Sequence, residues 1–62
     1  MVTDLDIYRA ANMLIERHGA DALVEAARMI DTMLDHGDTE GRQVWRRIKI
    51  AIEALQAPGA LH

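Results

Sequence analysis

Three histidines, ten carboxylates and one short run of cations carry whatever chemistry this 62-residue chain holds. His18, His36 and His62 are its strong neutral-nitrogen metal ligands. None belongs to a zinc-type pair spaced one turn apart on a single helix. His18 and His36 each precede a glycine, where the negative end of a helix dipole favours a cation without any metal. Asp35-His36-Gly37-Asp38-Thr39-Glu40-Gly41 is dense in oxygen ligands. It lacks the alternating acids, central glycine and late glutamate of a calcium loop, and reads as a helix stop followed by a new cap. No metal site is expected.

Catalysis has little to work with. Nucleophilic chemistry needs an activated serine, cysteine or threonine beside a base. The chain has no serine and no cysteine, and Thr3, Thr32 and Thr39 have capping or surface roles open to them. Asp31 and Asp35 share a solvated helix face, which offers none of the desolvation that acid–base work needs. No glycine-rich phosphate cradle follows a strand. We expect no enzyme, no cofactor and no small-molecule substrate.

The charges are unevenly placed. Net charge is −3, which works against a general attraction to nucleic acid or anionic lipid. Residues 42–49 nevertheless hold Arg42, Arg46, Arg47 and Lys49 with no acid among them. Residues 21–40 hold Asp21, Glu25, Asp31, Asp35, Asp38 and Glu40 against the single Arg28. Two readings follow: the acidic segment faces the basic one across a helix pair, or the asymmetry steers a partner. The first is preferred here. The basic run on a helix is also the candidate nucleic-acid contact, in the manner of a helix-turn-helix. Against that stand the overall acidity and a preceding helix of about four turns.

The elements that position these groups are helices. Glycine and proline punctuate the chain at Gly19, Gly37, Gly41, Pro58 and Gly59, and the segments between are rich in good helix formers. No period-two pattern suggests a strand. The expected fold is all-α: a compact three-helix domain over residues 1–57, with helices at about 4–18, 20–36 and 38–56. Its turns are short and contain glycine, and residues 58–62 form a frayed tail.

Thr3 is a suitable N-cap for the first helix, with Asp6 at the capping-box position and Gly19 as the stop. Ile7, Tyr8, Ala11, Leu14 and Ile15 share one face. The second helix has an apolar arc covering about half its circumference, which suits a central helix packed on two neighbours. Asp38 caps the third, where Val44, Trp45, Ile48, Ala51, Ile52 and Leu55 form the buried face. Trp45, the largest apolar group, is expected to anchor the core between helices.

A chain this short buries only ~60% of its unfolded surface, so its core is marginal. Without cysteine, regular helix packing or association with another chain must compensate. Leu5, Met13 and Ile50 fall outside the main apolar faces and are the candidate partner contacts. Met13-Leu14-Ile15 is as long as any purely apolar run gets, far short of the ~20 residues of a membrane span. No secretory leader is evident, and a cytoplasmic location is expected.

Asp6-Ile7-Tyr8-Arg9-Ala10-Ala11-Asn12-Met13-Leu14-Ile15, Ala26-Ala27, Gly37-Asp38-x-Glu40-Gly41 and Val44-Trp45-x-Arg47-Ile48 together resemble a group of short bacterial all-helical proteins of uncharacterised function. The resemblance spans residues 6–56. It implies a natural stand-alone protein and carries no activity, ligand or site residue. The reading that follows is a small helical protein–protein interaction module that self-associates, as a dimer, or docks on a larger partner. The alternative is a nucleic-acid-associated regulator using the basic face of the third helix.

Overall fold

Thr3 opens the first helix through a reciprocal pair of hydrogen bonds. Its hydroxyl accepts from the Asp6 N–H at 3.2 Å, and its own N–H donates to the Asp6 carboxylate at 3.1 Å. This capping box satisfies two backbone donors that a helix start otherwise leaves unpaired. In the computed structural model, which describes residues 1–57, α1 runs Asp4–His18. A 3₁₀ turn, Gly19–Asp21, leads to α2 (Ala22–Asp35), and α3 covers Thr39–Gln56. Regular structure among the described residues is entirely helical. The expected tail at 58–62 lies outside them.

The second helix begins later than the expected residue 20. Gly19 adopts φ +54°, which reverses the chain, and Gly19–Asp21 tighten into the 3₁₀ turn before the α geometry sets in. Asp21 makes no side-chain cap. At the other end α2 closes on Gly37, with φ +71°. The Gly37 N–H donates to Leu34 O at 3.1 Å and the Asp38 N–H to Met33 O at 2.9 Å. These two bonds are a Schellman closure, and its left-handed residue strongly favours glycine. The Asp38 carboxylate then caps α3 by accepting from the Gly41 N–H at 2.8 Å. One short turn therefore both stops α2 and starts α3.

α2 and α3 form an antiparallel hairpin. Met33 packs beside Gly41 at the turn, and at the far end the Gln56 side-chain amide donates to the Gly19 carbonyl at 3.0 Å. Gly41 allows this approach, because a Cβ there would lie 2.8 Å from the Met33 sulfur.

α2 does meet two neighbours, but the most extensively packed helix is α3. It makes the most extensive contact with α2 and a substantial one with α1, whereas α1 and α2 meet least. The buried set is Ile7 and Ala11 from α1, Ala22 and Ala26 from α2, and Ile48, Ala51 and Ile52 from α3. Four of these seven are alanines, which bring the helix axes close but bury little apolar surface. Leu14, Ile15, Leu23, Val44, Trp45 and Leu55 close the rim. Trp45 thus flanks the core, and Ile52, the largest wholly buried side chain, sits inside it. The Cα radius of gyration, 11.6 Å, is near the ~11 Å of a compact chain of this length.

Ile52→Ala should cost about 3 kcal/mol by cavity formation, and Gly37→Ala about 1–2 kcal/mol by forcing a Cβ into left-handed geometry. Urea unfolding followed by circular dichroism checks both.

Candidate interaction surface

The side chains left over from the core are concentrated on the outer face of α3 and the helices flanking it. Ile50 is 65% exposed at its crest. On one side, a shallow depression of about 300 Å³ is lined by Ile30, Arg42, Arg46, Lys49 and Ile50. On the other, a depression of about 170 Å³ is lined by Asp4, Ile7, Tyr8, Arg47, Ile50 and Ala51. Ile50 is common to both. Three residues from Tyr8, on the same side of α1, Leu5 is 58% exposed. Met13 is 48% exposed but lies about 140° around α1 from Tyr8, so it does not join this surface.

Sequence reasoning missed Tyr8, Val24 and Leu34. All three fall on or beside apolar arcs, yet they stand exposed at 45%, 66% and 56%. Helical periodicity measures the width of an apolar arc and not how much of it a neighbour covers.

Of the four candidate cations, the structure brings Arg42, Arg46 and Lys49 together along one depression and turns Arg47 toward α1. Arg47 pairs with Asp4 at 2.7 Å. Lys49 lies 4.0 Å from Glu53 on its own helix, and Arg28 pairs with Glu25 within α2. Among the described residues no ion pair joins the acids of 21–40 to the bases of 42–49. The expected match across the helix pair is therefore not made within the chain. The reason is geometric: the α2 residue facing Arg42 and Arg46 is Ile30, and Asp31 lies about 100° further round the helix. The Nε of Arg42 is buried without a hydrogen-bond partner.

Among the described residues no group of three or more histidine, cysteine or carboxylate side chains gathers as a metal site. No described helix is long and apolar enough to cross a membrane. Compared with known protein families, with curated proteins and with solved structures, the chain matches none.

Two carboxylates titrate below their ordinary range. Asp6 is lowered first by the hydrogen bond from the Thr3 backbone and then by the Thr3 hydroxyl. Glu25 is lowered first by the hydrogen bond from Arg28, whose own pKa rises in return. A depressed carboxylate contributes stability that is complete above its unfolded pKa and is lost as pH falls through the folded value. Stability should therefore decline below about pH 4. Asp6→Asn should flatten part of that acid limb in thermal melts taken across the acid range, and an unchanged limb would remove the capping carboxylate from this account.

Proposed function

We propose that this chain is a small, non-enzymatic cytoplasmic interaction protein, a three-helix bundle that self-associates as a dimer through its exposed apolar helix faces. One observation carries the reading: Ile50, a large β-branched side chain, stands 65% exposed on the outer face of the helix that organises the core. Leu5 on α1 extends the apolar surface beside it, with Tyr8 between them. Met13 offers a separate contact on the far side of α1. Burying one such side chain contributes ~1.5–3 kcal/mol, a large share of the stability of so small a domain. The alanine-rich core supports the same reading, because it leaves this share unmet within one copy.

A second reading has its own observation. Arg42, Arg46 and Lys49 line one depression, and neither arginine there has a carboxylate partner. That favours an anion, and nucleic acid is the alternative partner, with Arg47 as a flanking contact. The net charge of −3 weighs against it.

Light scattering across a hundredfold dilution should show a dimer dissociating to monomer, with the melting temperature falling in parallel. Ile50→Glu should shift the midpoint to at least about tenfold higher concentration. A constant monomer mass would exclude self-association. Retention of that monomer on a mixed DNA and RNA pool, lost steeply with added salt, would establish the alternative.

A further inference from the structure

The acidic and basic halves of the α2–α3 hairpin find no partners in each other, and two of their charges sit at the wrong ends of their helices. Asp35 is in the last turn of α2, where the helix dipole is negative and no basic residue accompanies it. Arg42 is in the first turn of α3, where the dipole is positive. Each placement is locally unfavourable by a few tenths of a kcal/mol or more. Departures from local preference of this kind mark positions held for another purpose.

We infer that the hairpin pairs with a second copy of itself about a two-fold axis parallel to its helices, α2 of each copy lying against α3 of the other, with Asp31 and Asp35 meeting Arg42 and Arg46 across the interface. This rests on the self-association proposed above and gives that association its surface and register.

The geometry supports this through three independent features. The first is register. A two-fold axis along the hairpin places each residue of α2 at the height it already has beside its own α3. Met33 lies beside Gly41, the helices are antiparallel, and each rises about 1.5 Å per residue. Nine residues back along α2 from Met33 is Val24, and nine forward along α3 from Gly41 is Ile50. The two exposed β-branched side chains of this face, at 66% and 65%, therefore stand level. Two residues back from Met33 is Asp31, level with the span between Arg42 and Arg46.

The second feature is direction. Val24, Asp31 and Asp35 fall within about 40° of one another around α2, and Arg42, Arg46 and Ile50 within about 80° around α3. Leu34, one turn on from Ile30, carries the surface from the Arg42–Arg46 depression round to the two aspartates.

The third feature is charge. Related by this axis, Asp31 and Asp35 face Arg42 and Arg46 at both halves of the interface. Arg28, which the same register sets level with Arg46, is already paired with Glu25 on its own helix. An axis perpendicular to the hairpin would instead set α2 on α2 and α3 on α3, bringing like charges together, which is strongly disfavoured. An isologous contact uses every charge twice, so one complementary match closes both halves.

The test uses two variants of the full chain: Arg42→Glu with Arg46→Glu, and Asp31→Lys with Asp35→Lys. Each alone should dimerise about a hundredfold more weakly than the wild type, because like charges then face each other. Mixed, they should form a heterodimer of wild-type affinity by light scattering and native mass spectrometry, because both halves become complementary again. Should either variant unfold, register can be read in the wild-type charge background. The chain has no cysteine, so a Val24→Cys chain mixed with an Ile50→Cys chain should form the mixed disulfide in preference to either homodimer. A wild-type dimer whose charge variants still self-associate unchanged, or whose Ile50→Cys chains cross-link chiefly to each other, would overturn the pairing and leave self-association standing. A monomeric wild type, including one that binds nucleic acid, would overturn both.

Discussion

The alanine seam sets the terms for everything else in this protein. Ala11, Ala22, Ala26 and Ala51 let the helices approach closely around Ile52, and close approach gives well-packed contacts. The same small side chains limit how much apolar surface leaves water. A seam of leucines would hold the helices further apart over a larger core and would leave less need for an outer surface. Here the interior is tight but thin, and Leu5, Val24, Leu34 and Ile50 are among the large aliphatic groups left outside it.

That thin interior makes the helix ends matter more. The capping box at Thr3–Asp6, the Schellman closure on Gly37 and the Asp38 cap each contribute on the order of 1 kcal/mol, comparable to a modest core contact. The α2–α3 turn is the most economical of them. Gly37 ends one helix and Asp38 begins the next with no intervening loop, so the hairpin has little freedom to splay. A rigid hairpin is what allows side chains on two different helices, Ile30 on α2 and Arg42 and Arg46 on α3, to line one depression.

The parts of this structure legible in the sequence are those governed by local chemistry. Thr3 with Asp6, Gly19, Gly37 and Asp38 announce helix ends because capping depends on residues three or four apart. The all-helical architecture follows from the same local signals. Three features were not legible. The start of α2 was displaced because Gly19, besides stopping α1, turns the chain into a 3₁₀ segment that uses Ala20 and Asp21. The organising helix was misassigned because arc width and burial are different quantities: the broad arc of α2 includes Leu34, which stays exposed, whereas the narrower face of α3 places Ile48, Ala51 and Ile52 between two neighbours. Of the candidate contacts, Leu5, Met13 and Ile50 are all exposed, but the depressions that Ile50 joins depend on the crossing of helices, which no spacing rule encodes.

Charge placement ties these threads together. An acidic segment beside a basic one in sequence suggests an internal match, and a hairpin turn brings the two to adjacent helices. Adjacency of helices is not adjacency of side chains, however. Across the α2–α3 seam the face toward Arg42 and Arg46 is occupied by Ile30, as it must be if the seam is to exclude water, and the acids are rotated outward. Any amphipathic hairpin with a dry seam will push its charges to the outside of both helices in this way. Complementary charges on such a hairpin are thereby displayed rather than neutralised, and a surface that is complementary to itself under a two-fold rotation is the simplest arrangement in which they meet.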